Sequence, residues 1–172
     1  RRTREFKWYR PQEGRNSISH NNVKALYYDA DKEIIWIGTH LGGLNKLDIR
    51  SGHFTHYRME GNNPQSLPSD IIRDITPYKD LLIIATQNGV CLFNPANGQC
   101  RQLFKDSKEG KSIKMVADVV FDSEGTLWIA ATGEGVFSYR FDTRKLTNYR
   151  HDAANPIMRT IPPIRTASAI IT

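Results

Sequence analysis

Reactive side chains at workable spacings are the first thing to look for in these 172 residues, and a few groupings come near. His53 and His56 have the make-up of a metal pair, but at that spacing on a strand they point to opposite faces. Gly110-Lys111-Ser112 has the tail of a phosphate-binding loop, yet the glycine required before it is replaced by Lys105. Asp29 with Asp31, and Asp122 with Glu124, carry oxygens that calcium would accept. Asp and Gly at such places also build tight turns, and the turn is the expected reading. Serine, histidine and aspartate are all present, but no nucleophile sits in an activating motif and no carboxylate pair stands out as acid and base. No catalytic residue, metal ligand or cofactor is expected in this segment.

Cys91 and Cys100 are too few for a disulfide framework or a zinc site. They flank a hairpin loop expected at 92–99, so a local bridge is geometrically conceivable. Packing as two small apolar residues beside their strands is the preferred reading. Lysine and arginine outnumber aspartate and glutamate by 24 to 18, a net charge of +6. The basic residues are scattered, densest at Arg1, Arg2 and Arg4, and no nucleic-acid motif accompanies them, so nucleic acid is not an expected partner. A chain 39% hydrophobic and 24% charged has the composition of a folded domain. Its longest apolar runs, Ile34–Ile37 and Leu81–Ala85, fall far short of the ~20 residues that cross a bilayer. Arg1-Arg2-Thr3-Arg4 opens the chain with no apolar stretch of a secretion signal behind it. Membrane contact is expected only through a larger parent.

The elements that must position these residues are legible from an internal repeat. Ser17-Ile18, Ser66-Leu67 and Ser112-Ile113 recur at intervals of about 47 residues. Behind each pair comes a strand-like run (Val23–Tyr28, Ile71–Ile75, Val116–Phe121), then a turn at Asp29–Lys32, Pro77–Asp80 or Asp122–Gly125. A more apolar run follows, at Ile34–Thr39, Leu82–Thr86 and Leu127–Thr132, apolar at successive positions as a strand covered on both faces must be. A glycine-marked turn leads to Gly43–Asp48, Gly89–Asn94 and Gly135–Phe141, and Phe54–Tyr57, Cys100–Phe104 and Leu146–Tyr149 close the units. Four short β-rich runs joined by turn residues describe one antiparallel meander. A sheet that wants cover on both faces must stack against copies of itself, and radial repetition does that.

The predicted fold is therefore all-β: a partial β-propeller of four-stranded antiparallel blades, about three and a half of them, from a parent of about seven. Phe6-Lys7-Trp8-Tyr9 matches the Phe54–Tyr57 position one unit earlier, so residues 1–15 are expected as the fourth strand of a preceding blade. Residues 16–65, 66–111 and 112–160 are the expected blades, and 161–172, with Ile164–Ile171, the first strand of a following one. Completing the ring would take further blades of the parent or a second copy of the chain. Trp36 and Trp128 share one repeat position, with Ile83 between them. A sugar-stacking platform is conceivable there, but a fixed framework position predicts packing between sheets ~10 Å apart.

The pattern Trp36-Ile37-Gly38-Thr39, Gly42-Gly43-Leu44-Asn45, Leu47-Asp48, Phe54 with Tyr57, and Ser66-Leu67 resembles the two-component regulator propeller repeat. The third unit keeps Asp122, Gly125, Trp128-Ile129, Gly135-Val136 and Tyr149, while the second departs at Ile83 and at Pro77–Asp80. That resemblance implies paired propellers outside the cytoplasmic membrane of bacteria, ahead of a membrane helix and a histidine kinase. Hybrid versions in gut bacteria detect breakdown products of complex carbohydrates, and related repeats precede diguanylate cyclases.

It thus implies a non-enzymatic, periplasmic ligand-sensing segment of an inner-membrane protein, with an oligosaccharide as ligand. The alternative is a protein-interaction or self-association scaffold. In a meander, loops between second and third strands emerge beside those joining successive blades, so their polar tips His40, Gln87, Asn88 and Glu134 are the expected ligand-facing residues.

Overall fold

Each repeated run becomes a strand in the computed structural model, which describes residues 6–107 and 110–151. The first unit contains β1 (Val23–Asp29), β2 (Ile34–Thr39), β3 (Leu44–Asp48) and β4 (Phe54–Tyr57). The second contains β5 (Ile72–Tyr78), β6 (Leu81–Thr86), β7 (Gly89–Phe93) and β8 (Cys100–Gln102). A short 3-10 turn at Gly110–Ser112 leads to β9 (Val116–Phe121), β10 (Leu127–Ala131), β11 (Gly135–Arg140) and β12 (Lys145–Tyr149). Each unit closes into its own four-stranded antiparallel meander, with strands in chain order. Among the described residues no helix is long and apolar enough to cross a membrane.

Side-chain alternation explains why the sheets stack. On β2, Ile34 and Trp36 look one way, into a layer shared with Leu82, Ile84, Cys91 and Phe93 of the second sheet. Ile37 looks the other way, into a separate cluster with Ile18, Leu47 and Phe54. The second sheet repeats this: Ile83 and Ala85 pack into a layer with Val116, Val119, Leu127 and Phe137 of the third. Gly38 faces Ile72 so closely that an added Cβ would crowd its side chain. Small residues recur at this position as Ala85 and Ala130, so each inner strand can approach the sheet before it. Strands β1, β5 and β9 consequently lie side by side, as first strands do around a propeller axis.

The expected turn at Pro77–Asp80 is shorter than the sequence reads. Strand β5 runs on through Pro77 and Tyr78, which pair with Leu82 and Leu81. A first strand has hydrogen-bonding neighbours on one edge only, so proline's missing N–H is harmless there. The turns contain the acidic residues. Asp29 Oδ1 accepts the Lys32 N–H at 3.2 Å, and Asp122 Oδ1 accepts those of Glu124 and Thr126 at 3.0 and 2.9 Å. Asp122 Oδ2 also accepts Trp128 Nε1–H at 2.8 Å. Burial pushes the Asp122 carboxyl up, but these hydrogen bonds outweigh it and hold the group below the usual range.

Phe6–Tyr9 is not a strand. An outer strand pairs only with the third strand of its own blade, and no such partner is among these residues, so the reading of 1–15 stands as an expectation. The strand expected at Ile164–Ile171 lies outside the described residues.

Candidate functional site

The rim where blade-joining segments meet the second-to-third-strand loops is built on a feature repeated in every blade. Each first strand opens with a β-bulge, at Val23/Ala25 on β1, Ile72/Asp74 on β5, and between Val116 and Asp118 on β9 opposite Ala130/Ala131. The extra residues are Lys24, Arg73 and Ala117, all exposed. A bulge bends its strand and re-aims a side chain that regular pairing would direct into the sheet. Just before each bulge the backbone fastens to the adjacent loop: His40 N–H to Asn22 O at 2.8 Å, Gln87 N–H to Ile71 O at 3.0 Å, and Thr132 N–H to Met115 O at 3.2 Å. Neighbouring blades are joined at the same level by Gly43 N–H to Asp70 O and Met115 N–H to Gln87 O, at 2.9 and 3.0 Å.

The expected ligand-facing residues occupy this rim, in successive blades, with differing freedom. Gln87 Oε1 accepts from Arg73 Nη2 at 2.6 Å, and Asn88 Nδ2 donates to Pro68 O at 3.3 Å. The side chains of His40, half-buried, and Glu134 have no hydrogen-bond partner among the described residues. No hydrogen bond or ion pair links these four side chains to one another. Arg58 Nη1 donates to Leu41 O at 3.3 Å and lies 3.8 Å from Asp70 Oδ2, placing a cation beside the first loop.

The framework residues separate cleanly. Trp36 is 1% exposed, with Tyr57 of its own blade at 6.0 Å and Phe93 of the next at 5.4 Å between ring centroids. Ile83 takes the same place in the second blade and is fully buried. Trp128, half-buried, faces Tyr149 at 5.6 Å with the same 34° tilt as Trp36 and Tyr57. No described residue covers that pair as Phe93 covers the first.

Two features of the rim and axis are not legible from residue spacing. The first is the basic pair Lys24 and Arg73, because nothing in the sequence marks which residue of a first strand is squeezed out. The second is a carboxylate pair on adjacent first strands. Val119 N–H is shared by Asp118 Oδ1 at 3.0 Å and Asp74 Oδ2 at 3.3 Å. Thr76 Oγ1 donates its one proton to Val119 O at 3.0 Å, with Asp74 Oδ2 an alternative acceptor at 3.3 Å, tying the second blade to the third. Burial first, and the Asp118 carboxylate beside it, push the Asp74 carboxyl above its ordinary value despite the N–H groups that oppose this. A cleft lined by Pro11–Arg15, Ser17–Ser19, His56 and Arg58 borders the first loop, on the side of the first blade where Ile18 packs with Ile37. No group of three or more metal-ligating side chains occurs among the described residues.

Sheets of this order and stacking are blades of a β-propeller, and the chain is part of such a ring. The family model described as the two component regulator propeller matches residues 17–40, the stretch from Ser17 through β1 and β2. The fold superimposes with a TM-score of 0.74 on the extracellular domain of a protein named as a hybrid two-component system from B. thetaiotaomicron. That match has 21% identity and covers 84% of this chain and 20% of the other. A second such domain from the same organism matches with a TM-score of 0.64 at 21% identity, over 83% of this chain and 18% of that one. An auxiliary nutrient binding protein from Bacteroides thetaiotaomicron matches with a TM-score of 0.57 at 14% identity, over 74% and 30%. These likenesses establish the fold, and the chain spans about a fifth of the length of the first two. No curated protein matches the chain.

Proposed function

We propose that this chain is part of a ligand-sensing propeller, non-enzymatic in this segment and lying outside the cytoplasmic membrane, that signals to a kinase elsewhere in its parent. The observation that carries this reading is the rim: loops in register, stitched to one another through the backbone, that present His40, Gln87, Asn88 and Glu134, with the bulge residues Lys24 and Arg73 exposed at the same end of the sheets and Arg73 bonded to Gln87. The likeness of the stack to an extracellular domain of a two-component system supports the same reading. The proposed ligand is an oligosaccharide. Amides and cations on a rigid, partly pre-bonded rim suit sugar hydroxyls and carboxylates. Occupancy of loops that belong to different blades would bias how those blades pack, which is the change a sensor passes on.

A second reading has its own observation. The Trp128–Tyr149 face has no counterpart of Phe93 among the described residues, so it is suited to another blade, from the parent or from a second copy, and the segment would then serve as an assembly scaffold. Calorimetry of the complete ectodomain with neutral and acidic oligosaccharides separates the two. Heat of binding that His40→Ala and Arg73→Ala both weaken supports the sensor. Silence toward all glycans, with self-association that Trp128→Ala abolishes, supports the scaffold.

A further inference from the structure

The thiols of the second blade are placed for a reaction rather than for packing alone. Cys91 lies in β7 and Cys100 opens β8, the three-residue outer strand. The residue opposite Cys100 is Phe93, so the cysteines are diagonal neighbours on one face of the sheet. Sheet twist swings the two side chains together, and Sγ of Cys91 sits 2.9 Å from Sγ of Cys100. Unbonded sulfurs in ordinary packing stay farther apart, and a disulfide bond of ~2.05 Å needs only a small further approach. Both residues are free thiols, 0% and 4% exposed, within the apolar layer between the first and second blades.

We propose that Cys91 and Cys100 form a reversible disulfide that fastens the outer strand of the second blade to its neighbour when the protein meets an oxidised thiol. The order of events follows from burial. Enclosure in the apolar layer, together with the Cys100 sulfur beside it, holds the Cys91 thiol well above its usual range, so Cys91 is not the first nucleophile. Cys100 opens a strand of three residues whose outer edge is held there by one bond, Cys100 N–H to Gln65 O at 2.7 Å, and it reaches solvent when β8 frays and that bond opens. Its thiolate attacks one sulfur of glutathione disulfide; that S–S bond breaks and one glutathione thiolate leaves. Cys91 then gives up its proton as its sulfur attacks Cys100, and the second glutathione departs. Two protein thiols are oxidised and one glutathione disulfide is reduced to two thiols. This inference is independent of any ligand at the rim.

The test equilibrates the full chain in glutathione buffers of graded ratio, natively and in concentrated urea, followed by alkylation and mass spectrometry. The native protein is expected to lose two hydrogens and resist alkylation at both positions. Its half-oxidation point should lie at a ratio at least about tenfold more reducing than in urea, because the fold holds the thiols together. Cys91→Ser should accumulate a glutathione adduct at Cys100, while Cys100→Ser leaves Cys91 unmodified. Two alkylated thiols after native equilibration, a half-oxidation point no more reducing than in urea, or loss of the far-ultraviolet strand signal on oxidation would each overturn the proposal.

Discussion

Replacing Trp36 with alanine tests the blade-stacking layer directly. The ring is 1% exposed and lies against Phe93 of the next blade and Tyr57 of its own. Removing a buried tryptophan costs about 3–5 kcal/mol through lost transfer energy and the cavity left behind. For a chain of this size each kcal/mol lowers the midpoint by roughly 2–4 °C, so a fall on the order of 10 °C is expected. Thermal and urea unfolding followed by circular dichroism measure it. Trp128→Ala is the internal control: the same residue in the same repeat position, half-buried and lacking the cover Phe93 gives Trp36, should lose much less. A double-mutant cycle of Trp36→Ala with Phe93→Leu should return a coupling of about 0.5–1.5 kcal/mol, the usual worth of an aromatic pair beyond its area. A loss under ~1 kcal/mol for Trp36→Ala, or equal losses at the two tryptophans, would refute inter-blade packing as the role of this position.

Other perturbations address the turns, the axis and the rim. Gly43 and Gly52 both have positive φ, 70° and 68°, but only at Gly43 would a Cβ strike a backbone carbonyl, that of Tyr57. Gly43→Ala should therefore exceed Gly52→Ala by about 1–3 kcal/mol in denaturant unfolding, and equal losses would show that φ alone matters. The raised Asp74 carboxyl binds its proton more tightly in the folded state. Its contribution to stability is full below the ordinary carboxylate range and vanishes as pH rises through its folded value. Asp74→Asn should accordingly raise the melting temperature at pH 7 and leave it unchanged in acid; a loss at pH 7 would contradict the assignment. In calorimetry of the ectodomain, Lys24→Ala and Arg73→Ala should each weaken a uronic-acid oligosaccharide about fivefold, ~1 kcal/mol, and a neutral one less. Equal effects on both ligands would remove charge from the account.

Much of the architecture is readable because a blade writes its hydrophobic pattern into every copy. Apolar residues at successive positions of β2 and β6 require cover on both faces, and both strands have it. The third strand β7 is buried throughout, because Cys91 and Phe93 face the layer shared with the first blade and Leu67, while Val90 and Leu92 face the layer shared with the third. Pro77 misleads as a turn marker because the open edge of an inner strand tolerates it. Sites are harder to read than strands. His40, Gln87, Asn88 and Glu134 can be assigned to a rim from topology, but Lys24 and Arg73 depend on bulges, which arise from how two strands fall out of step. Asp74 and Asp118 meet only because one inner strand lies beside the next, a relation between residues far apart in the chain.

The aromatic contact at Trp36 has a direction, and that sets a rule for growth. Each unit offers a socket on its leading side and a plug on its trailing side: Phe93 fills the hollow of Trp36 and Tyr57, and Tyr139 meets Phe104 next to Ile83 at the following junction. Plug and socket are carried by the same module, so duplicating or deleting a whole module leaves every remaining joint made of matching parts. A cut through the middle of one would strand a plug without its hollow. Ring size in such proteins can thus drift by gene duplication in whole steps, while the joint between modules stays fixed.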